Sequence, residues 1–364
     1  MTASLNVGSD VPSKPPIRLS VLDQSPVPEG QTGAEALRNS IDLARFADQL
    51  GYHRYWVAEH HGGPMLAGPS PEALIGPIAA LTTRIRVGSG GVMLPHYSPL
   101  KVAETFSVLS GLFPGRIDLG IGRASGTDAV TTFALQRDRR ERSPDDFPQQ
   151  LGELLAYLHD RLPADHPFAR LGALPGLPES PELWLLGSSP QSAIWAGELA
   201  LPYVVADFIN PAGVQLAAIY RERFVPNEYL AEPRVIVAMS SICAESDDEA
   251  RRLSSSAKMA MIFLRSGNLI AVPTVEKALR FLAARGSSPD AMPPGRRAVV
   301  GSPATVHAGI ERIAAEYGAE EVMIVSIIHD HDARRRSYEL IAGEFGLSVA
   351  RAPSERSAVL TGRG

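Results

Sequence analysis

Arg84-Ile85-Arg86-Val87-Gly88-Ser89-Gly90-Gly91-Val92-Met93-Leu94-Pro95 begins as an alternating strand that should bury Ile85, Val87, Val92 and Leu94. In its middle the side chains give out. Three glycines in four positions weaken a strand, and such runs mark a bulge or the close approach of something flat. Two readings stay open on these residues: a bulge at a barrel corner, which is the simpler, or a backbone shelf under an aromatic cofactor.

Working outward, the same alternation predicts strands over Ile17 to Leu22, Tyr55 to Ala58, Arg116 to Ile121, Leu183 to Leu186, Tyr203 to Ala206, Val235 to Ile242 and Glu321 to Ile327. Helical sequence follows each one. Thr32 and Glu35 have the spacing of a capping box, and Gly51 stands where that helix should end. The pair Ser-Pro recurs at Ser70-Pro71, Ser98-Pro99, Ser189-Pro190 and Ser302-Pro303, each a helix start with proline in the first turn. Eight strand-helix units in one domain of this length predict an α/β fold, a (β/α)₈ TIM barrel with insertions. A doubly wound open sheet is the alternative. The expected domain spans 17–350, between loose tails at 1–16 and 351–364. Long connections at Ala124 to Pro181 and Leu264 to Val299 are candidate lids.

The chain has 364 residues, 45% hydrophobic and 21% charged, with a net charge of −5. That balance argues against a nucleic-acid partner, since neutralising phosphates needs a basic face. No apolar run is long enough to span a bilayer. The lone cysteine, Cys243, allows no internal disulfide and suits a reducing cytoplasm.

A barrel of this kind carries its chemistry at the C-terminal ends of its strands. His60 and His61 end the second strand. On an extended backbone adjacent side chains diverge, so one histidine should face the barrel axis while the other packs outward. An imidazole there could shuttle protons, or both histidines could be structural. In Gly187-Ser188-Ser189-Pro190-Gln191-Ser192, hydroxyls and free N–H groups converge at the start of a helix, an anion site that Arg123 could complete. Plain capping accounts for Ser189 but not for Ser188 and Ser192 together. His329-x-His331 has metal-ligand spacing but sits at a helix start, where capping and surface roles are the simpler account. There is no Walker loop and no strand-linked G-x-G-x-x-G, so no usual cradle for a nucleoside triphosphate or a nicotinamide dinucleotide.

Taken in order, several segments resemble the bacterial luciferase-like flavin monooxygenases: Trp56-Val57-Ala58-Glu59-His60-His61, Arg86 to Pro95, Gly115 to Arg123, Leu186-Gly187-Ser188-Ser189, Leu201-Pro202-Tyr203, Val300-Gly301-Ser302-Pro303 and His329-Asp330-His331-Asp332. The resemblance implies reduced FMN (FMNH2) at the barrel mouth, with O2 as oxidant and a separate flavin reductase as partner. It implies that Gly90-Gly91 is a non-proline cis pair under the isoalloxazine, that His60 is catalytic, and that Arg123, Ser188, Ser189 and Ser192 bind the phosphate. It also implies a homodimer joined through the second and third helices. Where bacterial luciferase has a reactive cysteine, this chain has Gly122. That puts light emission in doubt and should leave room beside the flavin for a larger substrate. By analogy with natural-product tailoring enzymes, of the kind found in antibiotic biosynthesis, the expected reaction is epoxidation or hydroxylation of a polyketide-like compound. The expected small molecule is hydrophobic or aromatic, with Trp184 and Phe208 as candidate lining. Three alternatives remain: an F420-dependent oxidoreductase of the same fold, a metal-dependent barrel hydrolase using His329 and His331, and a flavin-binding protein without catalysis.

Overall fold

The computed structural model describes residues 16–123, 128–135, 146–171, 173–210, 212–286 and 297–347. The two tails, apart from residue 16, lie outside the described residues, as do 124–127, 136–145, 172 and 287–296 of the two long connections that the sequence singles out.

Among the described residues there are nine parallel strands: β1 Arg18–Asp23, β2 Arg54–Val57, β3 Arg86–Met93, β4 Ile117–Gly122, β5 Glu182–Gly187, β6 Tyr203–Ala206, β7 Val235–Cys243, β8 Ala298–Gly301 and β9 Glu321–Val325. Strands β1 to β7 pair in sequence order, and β9 pairs with both β7 and β1, so eight strands close a ring. The expected TIM barrel is therefore the fold. The ninth strand, β8, lies outside the ring and pairs only with the upper half of β7, Ser240 to Cys243.

The helices are α1 Gly33–Leu50, α2 Pro71–Leu81, α3 Pro99–Leu112, α4 Ala129–Leu135, α5 Phe147–Leu158, α6 Pro190–Glu198, α7 Gly213–Glu222, α8 Asp247–Arg265, α9 Val275–Ala284, α10 Pro303–Tyr317 and α11 His331–Glu344. The Thr32–Glu35 capping box forms, and Gly51 ends α1 at φ 90°, a left-handed turn that a residue with a Cβ resists. All four Ser-Pro pairs open helices; of the four, only Ser189 accepts a backbone N–H of its own helix with its side chain, while the Ser302 hydroxyl meets that of Thr305 at 3.1 Å. The buried stripe of α1 runs through Ala36, Ser40, Leu43, Ala44 and Ala47.

Strand β3 shows how the pattern becomes architecture. Ile85, Val87, Val92 and Leu94 are all buried and join the layer between barrel and helices. Val87 and Val92 are five residues apart, so a strict period of two would put them on opposite faces. The register with β4 jumps from Ser89↔Leu119 to Val92↔Ile121, and this bulge at Gly90-Gly91 restores the face. The Gly90–Gly91 peptide is cis.

A charge cluster centred on buried Arg54 occupies the lower barrel. Arg54, 2% exposed at its side chain, reaches Asp118 at 2.8 Å, Glu321 at 3.0 Å and Glu182 at 3.1 Å. Arg86 and Arg234 add further pairs to Asp118 and Glu182. Burial alone would raise the Glu182 carboxyl, but Arg54, Arg234 and Arg86 hold it down to about 2. Trp56 donates its Nε1–H to Asp118 at 2.8 Å and meets Trp184 edge-on. Trp184 is thus core and not pocket lining, stacked between Arg54 and Arg234. Above this floor the interior turns apolar, with Leu22, Val204, Ile236 and Met323.

Candidate active site at the barrel mouth

The end of β2 carries the densest chemistry. Glu59 has no exposed surface. Its carboxylate accepts the Met93 amide at 2.9 Å and lies 2.7 Å from His61 Nε2. Burial raises its carboxyl, while the His61 and Met93 bonds and Tyr97 pull the other way. This carboxylate ties the end of β2 to the end of β3 and sets the His61 ring, which stands edge-on to His96 at 5.9 Å.

His60 and His61 both line one cavity. The expectation that one packs outward fails because β2 ends at Val57, so the strand geometry that would separate them has already lapsed. The His60 amide donates to the Gly68 carbonyl at 2.9 Å. Its ring Nδ1 is buried without a hydrogen-bond partner. Burial first, and then the nearby His61, lower the His60 imidazole to about 4, so it is neutral at physiological pH. A neutral ring with a spare nitrogen in a cavity wall is equipped to take or give one proton.

The cavity measures about 460 Å³ and opens at the C-terminal ends of the strands. Met65, Leu66, Phe208, Ile242, Val325 and Ile327 form much of its wall, so Phe208 is lining as expected. Gly90, Gly91, Arg123, Ser188, Ser189 and Ser192 are not in that lining. A Cβ at Gly90 would stand 2.5 Å from Leu22 Cδ1, and one at Gly91 would stand 2.7 Å from the Gly120 carbonyl oxygen. The two glycines let Leu22 and the β4 backbone approach closely. Room is likewise limited at Gly122, where Met93 Sδ lies 3.2 Å from the position of a Cβ.

The serine-rich turn assembles beside β5. Ser189 Oγ accepts the Ser192 amide at 3.4 Å, the bond of an N-cap. Ser192 Oγ donates to the Ser189 carbonyl at 2.7 Å and meets Tyr203 OH at 3.0 Å, so that hydroxyl is engaged within the turn. Ser188 is half-buried and its carbonyl accepts Asn210 Nδ2 at 3.2 Å. The Arg123 guanidinium lies 5.7 Å from the Trp195 ring on α6. The structure therefore brings Arg123 to the helix that Ser189 opens.

His329 and His331 diverge. His329 Nε2 lies 3.1 Å from the Glu29 carbonyl oxygen, and His331 Nε2 lies 3.0 Å from Asp42. Asp330 caps α11. Among the described residues no group of three or more His, Cys, Asp or Glu side chains could hold a metal ion. No described helix is long and apolar enough to cross a membrane.

Sequence reasoning missed Gln24, Lys258 and Arg297 in the cavity wall. Lys258 had a readable signal, a lone cation within Ser254-Ser255-Ser256-Ala257-Lys258-Met259-Ala260-Met261.

A closed (β/α)₈ barrel with histidines and an apolar cavity at its mouth has the architecture of a barrel enzyme. The luciferase-like monooxygenase profile matches residues 17–321, and the chain belongs to that family. It is 39% identical over 325 residues to a luciferase-like monooxygenase of Escherichia coli (strain K12), covering 89% of this chain and 96% of that one. It is 36% identical over 326 residues to the N-acetyl-S-alkylcysteine monooxygenase of Bacillus subtilis (strain 168), covering 90% and 97%. The crystal structure of apo-MsnO8 superposes with a TM-score of 0.81 at 42% identity, covering 91% of this chain and 98% of that one.

Proposed function

We propose that the chain is an FMNH2-dependent monooxygenase that places one oxygen atom from O2 into a small organic substrate with an apolar body. The observation that carries this reading is His60, a neutral imidazole with an unsatisfied buried Nδ1 in the wall of the barrel-mouth cavity. Family membership supports the oxidoreductase class.

The residues present fit a flavin phosphate better than they fit an open shelf. Arg123 and the start of α6, with Ser188, Ser189 and Ser192, offer a cation, a hydroxyl and helix N–H groups to an anion. Gly90 and Gly91 would supply backbone beside the ring. When bound, reduced FMN would supply the electrons that divide O2 between product and water. His60 would hold or release the proton that this division requires, and the apolar wall would keep bulk water out. No nicotinamide cradle is evident in the sequence, so a separate reductase is the proposed source of reduced flavin.

By analogy with the relative that acts on N-acetyl-S-alkylcysteine, the proposed substrate is small, and the transfer is to sulfur or carbon. A polyketide-like natural product is the competing substrate class. We also propose a cytoplasmic homodimer of one barrel domain over 17–350. Leu81 of α2 and Val108 and Leu112 of α3, all exposed, support α2 and α3 as its interface.

Anaerobic titration with reduced FMN and, separately, with reduced F420 tests the cofactor. Saturable FMNH2 binding together with label from ¹⁸O₂ in a product supports the reading. F420 binding with hydride transfer and no oxygen uptake would replace it. Product formation at the full rate in His60→Ala would remove His60 from the chemistry.

A further inference from the structure

Strand β1 carries an uncommitted polar group into the cavity wall. Its alternation turns Leu19, Val21 and Asp23 toward the helices, and Ser20, Leu22 and Gln24 toward the barrel axis. Ser20 joins the charge cluster through Glu321 at 2.6 Å, Leu22 lies in the apolar layer above it, and Gln24 lines the cavity. Gln24 is 8% exposed. Among the described residues its side-chain carboxamide has no hydrogen-bond partner. In the same wall His61 is engaged by Glu59, Ser254 by the Arg251 carbonyl, and Arg297 by Asp207 and Glu316. Buried amides are nearly always hydrogen-bonded, so an open one in an apolar pocket marks a place for a ligand group.

The backbone around Gln24 is fixed although its side chain is not. Asp23 accepts the Ser25 amide at 2.8 Å and is itself held by Arg334 and Tyr55. Ser25 stands at φ 49°, a left-handed conformation that a residue with a Cβ resists. It is tied by the Ser40 hydroxyl at 2.8 Å and by the Ala67 amide at 2.9 Å. Tethers on both sides of a strained residue hold the neighbouring side chain in one place. The Asp23 carbonyl accepts the Ala58 amide at 2.9 Å, so Gln24 ends the strand beside the one that leads to His60. In the ring of eight, β1 stands opposite β5, whose end carries the serine-rich turn. Gln24 is therefore across the barrel from the proposed flavin phosphate.

We propose that Gln24 determines substrate specificity, its carboxamide pairing edge to edge with an uncharged carboxamide on an otherwise apolar compound. The pairing stands on the cavity alone; that the bound compound is then oxygenated rests on the monooxygenase reading. A side-chain amide offers an acceptor and two donors and carries no charge. A primary carboxamide answers both, giving an N–H to the glutamine oxygen and taking one from its nitrogen. A methyl ketone of the same shape answers one and leaves the glutamine oxygen unmet. A carboxylate also brings no donor, and loses its hydration on entering an apolar wall. With the amide end at β1 next to His60, the apolar body lies over Val325 and Ile327 at the end of β9, the next strand of the ring.

Calorimetric titration of the full-length protein with phenylpropionamide, with its methyl-ketone counterpart benzylacetone and with phenylpropionate tests the assignment. The amide is expected to bind roughly fivefold or more tightly than either of the others. Gln24→Met keeps the length of the side chain and removes both hydrogen-bonding groups. It should erase the preference while melting at or above the wild-type temperature, because the amide it replaces meets nothing in the protein. Equal affinity for amide and ketone, tighter binding of the acid, binding of none, or an undiminished preference in Gln24→Met overturns the proposal. So does a clearly lower melting temperature in Gln24→Met, which would make the glutamine part of the scaffold. A loss of FMNH2 affinity in that variant with the amide preference intact overturns it too, by assigning the side chain to the flavin. The titrations of the three probes need neither flavin nor oxygen. A protein that prefers the amide yet ignores reduced FMN would retire the flavin reading and leave this one standing; one that binds reduced FMN without the preference would do the opposite.

Discussion

Glu59 and His61, two residues apart at the end of β2, are joined by a 2.7 Å contact between Oε1 and Nε2, and the other carboxylate oxygen accepts the Met93 amide of β3. One buried carboxylate thus fixes both a cavity-lining ring and the spacing of two strand ends. Glu59→Ala leaves the Met93 N–H and the ring without their acceptor in a closed space. The expected loss is about 1–3 kcal/mol of stability, read from urea unfolding, with Glu59→Gln recovering part of it.

The low value of His60 predicts an acid-side stability signature. Its folded value of about 4 lies below the ordinary 6.5. Between those pH values the unfolded chain binds the extra proton, so stability falls as pH drops through that window and is unaffected above about pH 7. The full difference is about 3 kcal/mol. In His60→Gln, which cannot titrate, the unfolding midpoint should decline less between neutral pH and pH 4.5 than in the wild type. Parallel curves would show that His60 is more open to water than its burial implies.

Two glycines of the inner wall should differ in their tolerance of a methyl group. At Gly120 the new Cβ would stand 2.2 Å from the Ser89 carbonyl oxygen, which is backbone in the adjacent strand. At Gly90 the nearest atom is Leu22 Cδ1, the tip of a side chain that can rotate away. Gly120→Ala is therefore expected to lower the melting temperature more than Gly90→Ala, and thermal denaturation of the two variants checks the order.

Cys243 offers a reporter of global opening. It is 1% exposed, and burial, followed by the carboxylates of Glu245, Glu344 and Asp247, pushes its thiol up to about 12. Native protein should resist a thiol-specific disulfide reagent at pH 8 and react with one equivalent in denaturant. Rapid labelling of the folded protein would contradict the packing described at the top of β7.

The barrel was legible because its signals are local. Eight alternating runs and four Ser-Pro starts each announce an element without knowledge of its neighbours. The bulge in β3 was legible as one of two readings, because three glycines in four positions weaken a strand. The floor was not. Arg54, Asp118, Glu182 and Glu321 come from strands that meet only when the ring closes, and no window of sequence joins them. The site was read in part. His60 reaches the cavity as its strand-end position implied, but His61 joins it because the strand stops at Val57, four residues before it. Lys258 stood out as a lone cation among small and apolar residues, but that signal does not reveal the cavity that α8 lines.

The placement of β8 has a further consequence. Ring closure uses the lower part of β7, where Tyr203 to Ala206 and Glu321 to Val325 are its partners, whereas Ala298 to Gly301 attach above, along Ser240 to Cys243. The rim is thus raised on one side by a short outer strand whose Ala298 and Val300 line the cavity. Relatives could exchange those four residues, and with them the contour of the chamber, while the foundation of the fold stays untouched.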